Sequence, residues 1–84
     1  MVRCSDHSLY TGMSCDHVRR VAEHNQGRGA KYTRSRLPVR LVYIRYGASR
    51  SEVCRLEHQI KRYTKTQKER LVADYADSQQ AQLG

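Results

Sequence analysis

The chain has no Trp and no Phe, and only one Pro. Tyr, Leu, Val and Ile must therefore fill whatever interior its 84 residues can form. A chain this short buries only about 60–65% of its unfolded surface, which bounds it to one domain with a thin core. No apolar run approaches the roughly 20 residues that a membrane helix requires, and no signal-peptide pattern opens the chain. A cytoplasmic protein with no membrane partner is the expectation. Cys4, Cys15 and Cys54 are odd in number and lack C-x-x-C spacing, which favours neither a disulfide framework nor a zinc site. Reduced, partly buried thiols are expected instead.

Acid is missing too, from one long interval. Between Glu23 and Glu52 there is none, while Arg28, Lys31, Arg34, Arg36, Arg40, Arg45 and Arg50 all fall there. Solubility alone does not require a single sign of charge. With a net charge of +8, a polyanion is the natural partner. Nucleic acid comes before membrane, because the basic segment reads as a loop and a strand, not as an amphipathic helix.

Met1 to Cys4 reads as a strand, followed by a polar turn at Ser5-Asp6-His7 and a return strand from Ser8 to Gly12. A helix is predicted from about Asp16 to Gln26, with Asp16 as N-cap and Gly27 as the C′ stop. Val18, Val21 and Ala22 form its apolar stripe, and Arg20 and His24 lie one above the other on the face that the stripe leaves free. Residues 27–38 read as a flexible basic loop, and Val39 to Tyr46 as the best strand of the chain. Ser51 or Ser49 caps a second helix to about Tyr63, with Val53, Leu56, Ile60 and Tyr63 inward. Thr64-x-x-Gln67 is a capping-box pattern that opens a third helix, from Lys65 to about Tyr75. Residues 76–84 form a polar tail expected to fray, outside a domain spanning residues 1–75. The fold class is α+β: a small three-stranded antiparallel sheet flanked by helices, in the order β-β-α-β-α-α.

Glu57 is the most informative position. Taking Val53 as zero on a helical wheel, Leu56 lies at about 300°, Ile60 at about 340° and Glu57 at about 40°, inside the apolar stripe. A carboxylate there needs a partner. That partner is either a divalent cation such as Mg²⁺ or a structural cation, for example Arg20. Arg20 is suited to phosphate, since a guanidinium fork matches phosphate oxygens bidentately. His24 either contacts a phosphate or the leaving-group side, or is an idle helical His; Arg19 reads as solvated or as a backbone contact. A strand Tyr such as Tyr10 is more often packing than catalysis.

Leu9-Tyr10-Thr11-Gly12, with Arg20 ten residues past the Tyr and His24 four further on, resembles the second half of the GIY-YIG nuclease signature. Gly29-Ala30-Lys31-Tyr32-Thr33, the helix Arg55 to Lys61, and Lys65 to Val72 follow in the order of its small stand-alone bacterial branch. The likeness covers roughly residues 1–73. It implies that Glu57 holds a Mg²⁺ or Mn²⁺ ion, that Tyr10 positions or deprotonates the attacking water, and that both converge with Arg20 on one phosphodiester. It also implies that Lys31, Tyr32 and Thr33 form a substrate-side motif. Lys31 would contact a phosphate and Tyr32 would stack on an unpaired base. Arg28, Arg34 and Arg36 in the same basic loop, and Lys61 one turn beyond Glu57, are further candidate nucleic-acid contacts.

Two departures stand out: the "GIY" half of the signature, with its Tyr, does not precede Val2, and His7 occupies a turn position where this branch commonly has Gly. The first leads us to expect a start codon further upstream or a site lacking one Tyr, with impaired activity. The expected function is a monomeric, metal-assisted endonuclease without strong sequence specificity, acting on DNA before RNA, in repair or in turnover of foreign DNA. The alternatives are a catalytically inactive nucleic-acid-binding module of the same fold and, more remotely, a protein-interaction domain.

Overall fold

The computed structural model describes residues 1–83 and divides into two compact units, Met1–Leu41 and the residues from Val42 onward. The first unit is built on a three-stranded antiparallel sheet in the order β2-β1-β3. Its strands are β1 (Val2–Arg3), β2 (Leu9–Tyr10) and β3 (Arg40–Leu41). Val2 faces Tyr10 on one side and Leu41 on the other, while Arg3 faces Leu9 and Arg40. The β1–β2 turn closes with bonds from the Cys4 amide to the Ser8 carbonyl (2.9 Å) and from the His7 amide to the Cys4 carbonyl (3.0 Å). His7 takes φ +68°, a left-handed conformation that costs an L-residue free energy and that Gly adopts freely. The preference for Gly at this turn position thus has a backbone cause.

Helix α1 (His17–Asn25) starts where expected: the Asp16 side chain accepts the Arg19 amide at 3.1 Å. It stops at Gly27, whose φ of +77° places it in the left-handed C′ conformation. Its orientation departs from the expected one at two of the three stripe positions. Val18 is 70% exposed and Ala22 is exposed, whereas His24 is only 3% exposed. His17, Arg20, Val21 and His24 form the inward side, and Val21 packs on the core of Val2, Cys4 and Val39. Three small apolar residues define too weak a stripe to orient a helix against the partners that His24 finds in the fold.

Asn25, the last residue of α1, behaves like one more strand residue. Its side chain donates to the Val39 carbonyl (3.0 Å) and accepts the Val39 amide (2.7 Å), pinning the helix end to the approach to β3. Between them, the basic segment expected to be a loop contains a four-residue helix, α2 (Lys31–Arg34). With this insertion the order is otherwise β-β-α-β-α-α.

β3 is much shorter than the expected strand over Val39 to Tyr46. It pairs with β1 only at Val2 and Arg3, and residues 42–46 belong to no ladder. Apolar, β-branched composition makes a strand only where a partner strand exists.

The second unit contains α3 (Arg50–Lys61) and α4 (Lys65–Leu83). Ser49 caps α3 by accepting the Glu52 amide at 3.2 Å. The capping box forms as read: the Thr64 hydroxyl accepts the Gln67 amide (3.2 Å) and the Gln67 side chain accepts the Thr64 amide (2.9 Å). Ile60 is buried, and Tyr43 meets Tyr75 edge to face with centroids 5.7 Å apart. Helix α4 continues past Tyr75 to Leu83, so most of the polar segment expected to fray is helical; Gly84 lies outside the described residues. No helix among the described residues is long and apolar enough to cross a membrane.

Candidate functional site

The first unit gathers three of the predicted residues around Tyr10. β2 presents Tyr10, whose ring meets His24 edge-on with centroids 5.7 Å apart. Tyr32, on α2, stacks on Tyr10 with centroids 5.8 Å apart and an 18° angle between planes. The Tyr10 hydroxyl has no hydrogen-bond partner among the described residues, which leaves it available to a substrate or a water.

Arg20 lies one turn before His24 on the inward side of α1. Its side chain is 39% exposed, and one guanidinium nitrogen lies 3.4 Å from Glu23 Oε2. Glu23 is shared with Arg19, whose Nε sits 3.2 Å from Oε1. Arg19 is therefore an ion-paired surface residue, while Arg20 keeps donors beyond its one long contact with Glu23. That arrangement suits a guanidinium that must take an anion without being lost to solvent.

His24 is a buried member of the site and not an exposed helical His. Its Nδ1 lies 2.8 Å from the Thr33 hydroxyl, and Thr33 has no exposed surface. Burial holds its pKa below the ordinary histidine value, the positive charge of Arg20 adds to that shift, and Glu23 opposes it. The imidazole is thus biased toward its neutral form at neutral pH.

The basic segment divides into exposed cations and structural parts. Arg28, Lys31 and Arg34 are exposed and have no acidic partner among the described residues. Arg36 does not belong with them. Its guanidinium lies 3.9 Å over the Tyr32 ring, donates to the Tyr32 carbonyl (2.7 Å) and pairs with Asp6 Oδ2 (3.0 Å). Asp6, held below the usual carboxylate range chiefly by its bonds from Ser8 and then by Arg36, joins the β1–β2 turn to this cluster. The Tyr32 ring accordingly has Tyr10 and Arg36 against it already, so an unpaired base could stack there only by displacing one of them. Thr33, expected on the substrate side, faces inward instead.

Glu57 and Lys61 lie on α3 in the second unit. The Glu57 side chain is 20% exposed, and its Oε1 sits 2.8 Å from the Lys61 ammonium. Lys61 is therefore the cation that compensates this half-buried carboxylate, the role considered for Arg20, and it is engaged there instead of free for phosphate. Among the described residues no group of three or more His, Cys, Asp or Glu converges. Glu57 offers one partly buried carboxylate, the kind of ligand that a Mg²⁺-type ion combines with water and phosphate oxygens, and a cation bound there would take the place of the Lys61 ammonium.

Sequence reasoning missed Asn25 and Asp6, and it set Thr33 on the substrate side. Each acts through contacts made across the fold, and none lies on a periodic stripe that could have marked it.

The family described as the GIY-YIG catalytic domain matches residues 1–70. A UPF0213 protein of Haloquadratum walsbyi is 50% identical over 80 residues, covering 95% of this chain and 90% of its own. A UPF0213 protein of Staphylococcus aureus is 49% identical over 74 residues, covering 88% of this chain and 90% of its own. The solution structure of a UPF0213 protein from Bacillus halodurans superposes with a TM-score of 0.55 at 43% identity, covering 86% of this chain and 77% of that one.

Proposed function

Because the chain belongs to the GIY-YIG catalytic-domain family, we propose that it is a divalent-metal-assisted endonuclease that hydrolyses DNA phosphodiesters without strong sequence specificity. The observation that carries this reading is the contact of Tyr10 with His24, with the under-committed Arg20 one turn before His24 on the same helix. It combines a free phenol, a neutral imidazole and a guanidinium fork, the groups needed to orient water and to receive phosphate charge.

In this reading Arg20 grips the phosphate and stabilises the charge that develops on its oxygens, usually the largest catalytic contribution. Tyr10 orients the attacking water through its unpartnered hydroxyl. His24 takes a hydrogen bond or a proton on that side, since its neutral form offers a lone pair. Arg28, Lys31 and Arg34 hold the strand by its backbone, which confers affinity without sequence preference. Glu57 would hold the divalent cation, which when bound polarises the phosphate and lowers the pKa of coordinated water.

The test is cleavage of a supercoiled plasmid with Mg²⁺ present. Arg20→Ala and Glu57→Ala should each lower the rate on the order of 10²–10³-fold while leaving DNA binding measurable. Wild-type cleavage by either variant would end the nuclease reading. Salt-sensitive binding without any cleavage would identify a binding module instead.

A further inference from the structure

Thr33 is positioned to decide where the proton of His24 sits. A threonine hydroxyl has a single proton. The Thr33 hydroxyl lies 2.9 Å from the carbonyl of Ala30, which can only accept and also takes the Thr33 and Arg34 amides at 3.1 and 3.3 Å. With the hydroxyl proton on that carbonyl, the same oxygen presents a lone pair to His24, 2.8 Å away, and Nδ1 donates to it, so that both contacts of the hydroxyl are hydrogen bonds. Thr33 is 0% exposed and His24 3% exposed, so water does not compete on this side. An unprotonated Nδ1 would instead take the hydroxyl proton and leave the Thr33 and Ala30 oxygens facing each other with no proton between them, one hydrogen bond fewer in a buried place and a bias on the order of tenfold toward Nδ1–H.

A second observation, independent of the hydrogen bonds, concerns the same ring. A Cβ built on Gly29 would lie 2.0 Å from His24 Nδ1 and 2.6 Å from Cγ. Only a residue without a side chain lets the backbone pass this close to the imidazole. α2 then brings Thr33 back one turn after Ala30 and covers the ring.

From these two contacts we infer that the segment Gly29 to Thr33 is a clamp that fixes His24 in the Nδ1–H tautomer, with Thr33 as the positioning residue. Nε2 is then a hydrogen-bond acceptor, and the neutral ring cannot donate to a phosphate or a leaving group from that edge. Its partner is a donor, either water or the free Tyr10 hydroxyl. The expectation that Lys31-Tyr32-Thr33 acts as one substrate-side motif is replaced by a division of labour: Lys31 faces outward and Thr33 holds the catalytic side chain. The value of this tautomer for hydrolysis rests on the proposed nuclease function, but the tautomer itself does not.

The test is nitrogen-15 NMR of histidine-labelled protein at neutral pH, with His24 identified by loss of its signals in His24→Asn. Wild type and Thr33→Ser should both show a protonated Nδ1 and a bare Nε2. Thr33→Val should lose this preference and shift His24 toward Nε2–H, and Gly29→Ala should move the ring signals similarly. If cleavage is present, Thr33→Val should lower kcat by roughly 10-fold or more with KM little changed, and Thr33→Ser should restore it. A wild-type His24 protonated on Nε2, or an Nδ1–H signature that survives Thr33→Val, would overturn the clamp. Absence of cleavage would count against the nuclease reading alone, because the ring signals need no activity.

Discussion

Asn25 makes two backbone-like hydrogen bonds to Val39, one as donor and one as acceptor. Replacing it by Asp keeps the shape and removes the donor, leaving a carboxylate oxygen against the Val39 carbonyl. Asn25→Asp should therefore lower unfolding free energy by about 1–3 kcal/mol, read from the urea midpoint at pH 7; an unchanged midpoint would show the contact to be incidental. His24 makes a pH-dependent contribution. Its pKa in the folded state lies below the ordinary value, first because it is buried and then because of Arg20, so below about pH 6.5 the unfolded chain binds a proton that the folded one resists. That share of stability is complete above this pH and declines as pH falls through the lower, folded value. His24→Asn, which can still donate toward Thr33, should flatten the loss between neutral and mildly acidic pH. An equal slope in both proteins would assign the pH dependence to other groups.

At the scale of elements, ends and caps were readable where faces and partners were not. Asp16, Gly27, Ser49 and the Thr64–Gln67 box act through neighbours three or four residues away, so composition alone located them. The inward side of α1 was not readable, because it is set by a hydrogen bond to Thr33 and a ring contact with Tyr10, both contributed by other elements. This rotation of the helix is testable. Val18→Ser should change stability by less than about 0.5 kcal/mol, as for an exposed site, whereas Val21→Ser removes a core contact and should cost several times more. Comparably large costs at both positions in thermal or urea unfolding would restore the orientation expected from periodicity, in which both face inward. α2 escaped notice because four residues are too few to show a period, and residues 42–46 looked like a strand because their composition lacks only a partner.

For the molecule as a whole, the long interval without acid separates into cations that are spent and cations that are free. Arg36 is spent on Asp6 and Tyr32, and in the second unit Lys61 is spent on Glu57. Arg28, Lys31 and Arg34 remain exposed without an acidic partner among the described residues. If all three contact phosphates, replacing them together by Ala should reduce the salt slope of duplex binding by about 2.7, with little change in fold. An unaltered slope would place the binding surface elsewhere.

The order of the main elements, the net positive charge and the candidates Arg20 and Glu57 were present in the residue string, because each depends on local spacing or on composition, whereas Tyr10 stood out only through its resemblance to the family signature. The partner of Glu57, the burial of His24, the stacked environment of Tyr32 and the inward turn of Thr33 were decided only by the fold. These are contacts between segments far apart in the chain, and no periodicity within either segment encodes which oxygen or ring the other will bring.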